Sequence, residues 1–488
     1  MCHSGGNKSS GGESHSKVAD ASEAGDESSE EEGSDVEEGG WTARRTTIAS
    51  KVAKMIEVLR ALEPGSISRD AVEGILEGAH RVREEIFGLE EALVWADGFK
   101  ISQVVTDRDE RLLQDCGGDL TEAARRRQEE LAPNRISEHR INSVCTAEKM
   151  AALGPSFVKD VELLKTIATE GIEIITAPSF IPSGQPIKIH VGRMYAEAHT
   201  AVDKLMANAW GKKLVFIIKT ELVKSVEAHW SRQSWAPKQG KVEGRPCGNA
   251  SAMGPNGHAL NNDVVKCMVA DRWGPIHNPS IVKIVRNILT MGDKHGFDNI
   301  AVWKIDLAGA FTLLNIKPSN VGLMMYEMMG GFTLIHLAGM FGWTGMPFAF
   351  QVVTRVVIAL IGLAIVLTGL AEMFVDDVIA VSTKTSMAED MEKSSRIITE
   401  LLGEGAEEFK KRVSTLDEGN DSHEVDVVGW NVASIGMPGV TPTVGISRRN
   451  RRKMMFRVFD LDETHTHTHT VELVCSGVSI SGVSLQWS

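Results

Sequence analysis

Apolar and polar positions change rhythm several times along this chain. Val52, Met55, Ile56, Leu59 and Leu62 recur at helical spacing, and after Pro64-Gly65 a second stripe runs through Val72, Ile75, Leu76, Ala79, Val82, Ile86, Leu89 and Leu93. The spacing predicts two amphipathic helices broken by the Pro-Gly pair, with packing or protein contact as their role. Charged helical stretches such as Glu122 to Glu130 extend this pattern through residues 100–180. Farther on, Ala301 to Asp306 and Val378 to Val381 are short apolar runs of the kind that form strands.

Between those runs lies a strongly apolar stretch without charge, Val356 to Ala371, bracketed by Arg355 and Glu372. Its sixteen residues fall short of the roughly 20 that a helix needs to cross a bilayer. The stretch reads better as the end of a buried helix followed by the start of a strand. On that reading no membrane is involved, and a protein anchored through this segment is the competing view.

That strand leads into Phe374-Val375-Asp376-Asp377. Apolar run, acidic pair, apolar run predicts a β-hairpin with two carboxylates at its tip. Asp is also common in turns for local hydrogen-bonding reasons, so the pair alone is weak. A third carboxylate in a similar setting strengthens it: Asp306 ends the apolar run of Ala301-Val302-Trp303-Lys304-Ile305. Neighbouring carboxylates repel and call for a compensating cation, for which a hard ion such as Mg²⁺ is suited. Three carboxylates from two strand ends are what two-metal phosphoryl transfer requires, since both the attacking and the leaving oxygen need a cation.

Taken in order, Lys304-Ile305-Asp306-Leu307-Ala308-Gly309-Ala310-Phe311, then Phe341-Gly342-Trp343-Thr344-Gly345-Met346-Pro347-Phe348-Ala349-Phe350-Gln351, then Phe374-Val375-Asp376-Asp377 resemble motifs A, B and C of the reverse transcriptases of retroelements. Val427-Val428-Gly429-Trp430 is similar to the short segment that follows the palm in that family. Lys241 to Asn249 and Leu260-Asn261 resemble its fingers segment, in which a Lys and an Arg lie over the incoming phosphates. The resemblance covers residues 235–440. It departs from the family at Phe374, where Tyr is commonest, at Asn249, where Asp is frequent, and in the longer spacing from Arg245 to Leu260.

The resemblance implies an α+β right-hand polymerase fold with fingers, palm and partial thumb, preceded by a helical N-terminal region. It implies Asp306, Asp376 and Asp377 as catalytic and metal-binding residues for two Mg²⁺ ions, with Mn²⁺ an alternative. Lys241, Arg245, Gly342, Trp343 and Phe311 become substrate-binding candidates. Phe311 stands where related RNA-templated RNA polymerases usually carry an Asp that recognises a ribose hydroxyl. A ring there would collide with a 2′-OH, which points to deoxynucleotides. Each of these has a plainer reading: a core Phe, a loop before a helix at Gly342 to Gly345 with Pro347 starting the helix, and a solvated Lys and Arg.

Composition and charge refine the picture. The formal net charge of the 488 residues is −13, but residues 1–40 carry eleven acids against Lys8 and Lys17, leaving −4 for the rest. That Ser/Gly/Glu tail has almost no large apolar residue and is expected to be disordered. It has neither the apolar core of a secretory signal nor the basic character of a transit peptide. Cys2, Cys116, Cys145, Cys247, Cys267 and Cys475 form no close-spaced pair and no zinc pattern, which suits an intracellular setting, cytoplasmic or nuclear. His465, His467 and His469 in Thr464 to Thr470 are a candidate metal tract or a low-complexity run. Ser447 to Lys453 is the densest basic cluster, readable as a nucleic-acid contact, a nuclear address or a solvated helix start.

The expected organisation is therefore a tail at 1–40, a mainly helical region at 41–180, fingers at 181–300, palm at 301–440, and the start of an abbreviated thumb with a low-complexity tail at 441–488. The expected function is an RNA-directed DNA polymerase acting on an RNA or DNA template with primer and dNTPs. The alternative keeps the fold without catalysis, as a decayed or co-opted nucleic-acid-binding or interaction protein.

Overall fold

The computed structural model describes residues 101, 107–130, 135–185, 196–223, 228–237, 244–328, 330–447 and 450. The acidic tail, the two amphipathic helices expected between 47 and 98, Lys241, most of the 447–453 basic cluster and the Thr464–Thr470 tract lie outside the described residues. What is described is an α+β protein with three β-sheets surrounded by helices.

Five helices come first: α1 (Arg108–Asp115), α2 (Leu120–Glu129), α3 (Glu138–Val144), α4 (Ala147–Leu153) and α5 (Pro155–Glu170). Local chemistry marks their starts. Asp119, Ser137 and Thr146 each accept a hydrogen bond from a first-turn N–H, and Pro155 opens α5 where its missing N–H costs nothing. These helices pack into the body of the protein. In α1 the fully buried Asp109 accepts from Trp210 Nε1 at 2.7 Å and from Ile217 N at 3.1 Å, and pairs with Arg108 at 2.9 Å. Trp210 belongs to α6 (Ala196–Gly211) and Ile217 to β1 (Val215–Lys219), so one carboxylate ties three elements together.

Strands β2 (Trp230–Pro237), β3 (Gly244–Asn249), β5 (Met325–Met328) and β6 (Phe332–His336) join β1 in a five-stranded sheet of order β1-β6-β5-β2-β3. β2 runs parallel to β5, and the other pairs are antiparallel. Strands β5 and β6, which follow residue 300, thus hydrogen-bond into the sheet of β1–β3. Helices α7 (Asp263–Trp273) and α8 (Ile281–His295) precede β4 (Ile300–Asp306).

Strand β4 lies in a second, antiparallel sheet of order β7-β8-β4-β9, formed with β7 (Gly369–Phe374), β8 (Asp377–Thr383) and β9 (Val413–Ser414). Both faces are covered, which explains why β4 reads as an almost continuous apolar run. Trp303, Ile305, Val378 and Ala380 join the main core, where α9 (Gly345–Ala364) and α10 (Met387–Leu402) also pack. Ile300, Val302, Ile379 and Val381 face the other way, onto Ile284, Ile288 and Met291 of α8. Val425 and Val427 of β10 (Val425–Val427) and Val432 of β11 (Trp430–Ala433) close this second core, and β12 (Thr443–Ile446) completes their small sheet.

The uncharged stretch divides as expected: its first part ends α9 and its last part begins β7. Helix α9 starts at Gly345, three residues earlier than Phe348, and holds Pro347 in its first turn, where the missing N–H costs no hydrogen bond. Among the described residues it is the one helix long and apolar enough to cross a membrane, and most of it is buried inside the protein.

Candidate active site

The three carboxylates converge at one end of the second sheet. Asp306, the last residue of β4, is the register partner of Asp377, the first of β8. Phe374 pairs with Asp377, which leaves Val375 and Asp376 as a two-residue hairpin turn. Side chains alternate along strands, so Lys304, Asp306, Asp377 and Ile379 share one face. The Asp376 carbonyl accepts from Leu307 N at 2.8 Å, which fastens the turn to the end of β4.

The turn is strained. Of its two residues only Val375 has a positive φ, 55°, the sign pattern of a type II′ hairpin whose first position favours glycine. A β-branched residue there costs on the order of 1–3 kcal/mol and persists only when its surroundings impose it. One such restraint is visible: Thr354 Oγ1 of α9 lies 3.3 Å from the Val375 carbonyl. The helix of the Gly342–Pro347 motif therefore grips the acidic hairpin.

Two lysines neutralise the acids. Lys304 Nζ is 2.8 Å from Asp377 Oδ2, and Lys411 Nζ is 2.6 Å from Asp306 Oδ1. Burial pushes the Asp377 carboxyl up to about 6, Lys304 pulls against that, and the charges of Asp376 and Asp306 add to the rise. Lys411 reaches the site because its segment is pinned to β4: Ala308 N donates to Ala406 O at 2.8 Å and Glu408 N to Asp306 O at 2.9 Å. Arg412 pairs with Glu407, whose side chain is fully buried, and with Glu392 at 2.6 Å, which holds the same segment against α10.

As the side chains stand, no group of three or more His, Cys, Asp or Glu among the described residues is gathered around a metal position. The donor chemistry nevertheless fits Mg²⁺. All three candidates are carboxylates, the oxygen class this ion prefers, and Asp377 Oδ1 is buried without a hydrogen-bond partner, an acceptor left over for a cation or a proton.

The glycine-rich loop before α9 abuts the candidate fingers segment. Gly342 has φ 118°, and a Cβ there would lie 1.7 Å from Gly248 O. Gly248 N donates to Phe341 O at 3.1 Å, and Asn261 spans the loop by donating to Gly342 O at 2.7 Å and accepting from Thr344 N at 2.8 Å. Arg245 lies on β3 opposite Ala236, within this docked hairpin. Trp343 is 1 % exposed and belongs to the core. Phe311 is 6 % exposed on a 3₁₀ turn, Ala310–Leu313, with its ring against Phe350 and the half-exposed Phe341, at centroid distances of 5.5 and 4.8 Å.

Sequence reasoning missed both lysines. Lys304 had a signal, since it lies on the face of Asp306 and diagonally across from Asp377. Lys411 had none, being 105 residues from its partner. In the 427–430 segment, Val428 and Gly429 form the turn between β10 and β11 with φ of 50° and 79°, the signature of a type I′ hairpin.

No family model matches this chain, and no curated protein matches it. Among solved structures it is similar to a foamy viral protease–reverse transcriptase in complex with double-stranded DNA, at 13% identity and TM-score 0.38, over 61% of this chain and 46% of that one. The corresponding RNA/DNA-hybrid complex gives 13% and 0.38 over 58% and 31%. The native prototype foamy virus enzyme gives 14% and 0.36 over 64% and 35%. The chain spans less than half the length of each of these structures, and superposition this loose decides nothing about its chemistry.

Proposed function

We propose that the chain is an RNA-directed DNA polymerase of a retroelement, extending a primer on an RNA or DNA template with dNTPs. The observation that carries this reading is the register pairing of Asp306 with Asp377 beside the Asp376 turn. It gathers at one sheet end the acids that the motif order groups together. Asp306 and Asp376 would hold two Mg²⁺ ions, with Asp377 assisting. Bound there, the ions supply a lowered pKa for the primer 3′-OH and charge neutralisation for departing pyrophosphate.

The chain's own residues set the rest of the site. Lys304 keeps Asp377 oriented along the sheet face, and Thr354 holds the strained turn. Phe311 closes the pocket beneath the incoming sugar, and the motif resemblance makes Lys241 and Arg245 the candidates to bind its phosphates. Primer extension by the purified chain with Mg²⁺ tests the reading. Incorporation should depend on template and be abolished in Asp376→Ala. An Asp376→Ala protein as active as its parent would defeat the assignment.

A second reading, a non-catalytic nucleic-acid-binding protein of the same fold, is favoured by the lysine pairing of Asp306 and Asp377. It predicts salt-dependent duplex binding with no extension at any Mg²⁺ concentration.

A further inference from the structure

Arg135 is an arginine in an unusual position. Burial lowers its guanidinium to about 10, and among the described residues it has no carboxylate partner. Arg135 is half-buried, and a cation drawn out of water is normally paired, because desolvation costs more than neutral hydrogen bonds return. This one donates through Nη1 to Thr312 O at 2.6 Å and to Asn315 Oδ1 at 3.1 Å. Both acceptors lie on the segment that carries Phe311.

That segment is fastened from two sides: Ile316 N donates to Leu337 O at 2.9 Å and Gly339 N to Leu314 O at 2.9 Å, and the N-terminal helical region supplies the other grip. The buried amide of Gln128 donates from Nε2 to Ile316 O at 2.7 Å and to Leu337 O at 2.8 Å. Ile172 adds a two-way backbone bridge, Ile172 N to Asn315 O at 2.8 Å and Lys317 N to Ile172 O at 2.9 Å. Within the segment, Thr312 N and Oγ1 reach back to Gly309 O, and Leu314 N to Phe311 O, so the turn is compact but short. A 3₁₀ turn of this length has little stability of its own and takes its position from what grips it.

We infer that Arg135 is a positioning residue for sugar selection: it fixes the 3₁₀ turn so that the Phe311 ring occupies the space a ribose 2′-OH would need. The inference rests on the polymerase reading above. It gives the helical region a specificity role, exercised through Thr312 and Asn315 without contact to substrate. Selection by a ring edge depends on placement at the ångström level, so a slackened turn admits the ribonucleotide before it impairs chemistry.

The test compares the full chain with Arg135→Met and Arg135→Lys by two readouts. Amide hydrogen exchange at Thr312 and Leu314 should rise at least ~3-fold in Arg135→Met. The preference for dNTP over rNTP on one primer-template should fall by about 3- to 10-fold, with kcat for dNTP within about 2-fold of the parent. Arg135→Lys keeps one charged donor and should fall between; it also serves if Arg135→Met does not fold. Unchanged exchange, or faster exchange with unchanged preference, overturns the inference. A parent that extends no primer overturns the polymerase reading instead, and exchange then still decides whether Arg135 holds the turn.

Discussion

Asp306 and Asp377 face each other across β4 and β8, yet each carboxylate is neutralised by a different lysine, Lys411 from a distant segment and Lys304 from the same sheet face. The pair thus combines two acids that repel with two cations that offset them, and small changes in protonation or metal shift the balance.

The first consequence is a pH dependence. Asp377 titrates near 6 in the folded chain, against ~3.9 for an unfolded Asp. The folded state holds this proton more tightly, so the site's contribution to stability is full below about pH 4 and is lost as pH rises through 6. Asp377→Asn removes that dependence. Denaturant unfolding of parent and variant at pH 4 and pH 7 should show the difference moving toward the variant by on the order of 1 kcal/mol. A difference that does not change with pH refutes this, and Mg²⁺ bound at the site should draw the Asp377 titration below 6.

Phe311→Val should admit ribonucleotides while dNTP incorporation continues. A misfit around a single hydroxyl is worth about 1–3 kcal/mol, so the dNTP-to-rNTP ratio should fall by ~10-fold or more. An unchanged ratio in an active variant would make Phe311 a core residue, a role its contacts with Phe341 and Phe350 also suit.

Gly342→Ala should be severely destabilising. Its φ of 118° and the approach of Gly248 O to 1.7 Å from the new Cβ leave the loop no place for a methyl group. The expected loss is about 3 kcal/mol or more in urea unfolding, since either β3 or the loop must move. A loss under about 1 kcal/mol would mean that the two segments are not docked as described.

Asp109→Ala tests the hub of the helical region. Removing the carboxylate takes from Arg127, itself 3 % exposed, its second carboxylate, 3.9 Å away, leaving Glu130 at 2.6 Å, and leaves Trp210 Nε1 and Ile217 N without their acceptor. Breaking a buried ionic cluster from one side costs about 3–5 kcal/mol. Thermal and denaturant unfolding should both report it, with Asp109→Asn milder because an amide oxygen still accepts from one donor.

How much of this was legible in the sequence follows from interaction range. The β7–β8 hairpin, the strand ending in Asp306 and the split of the uncharged stretch into helix and strand are local, and periodicity with turn chemistry shows them. Asp306 facing Asp377 could be expected once both strand ends were known. The Lys411 pairing, the parallel β2–β5 contact and the return of β5 and β6 to the sheet of β1–β3 depend on long-range topology, for which no local pattern exists. Trp343 looked like a loop residue because Gly flanks it on one side and Thr-Gly on the other, and only the packing of α9 decides that its ring turns inward.

The 105-residue separation between Asp306 and Lys411 also sets an order of assembly. During synthesis the β4 strand emerges long before the segment that supplies its cation, and even the Trp303–Ser382 bond spans 79 residues. Pairings this distant form late, after much loop-closure entropy has been lost. A nascent chain stalled before residue 411 therefore carries an acidic sheet end without one of its counter-charges, and its exposed β4 edge is the surface most in need of a chaperone.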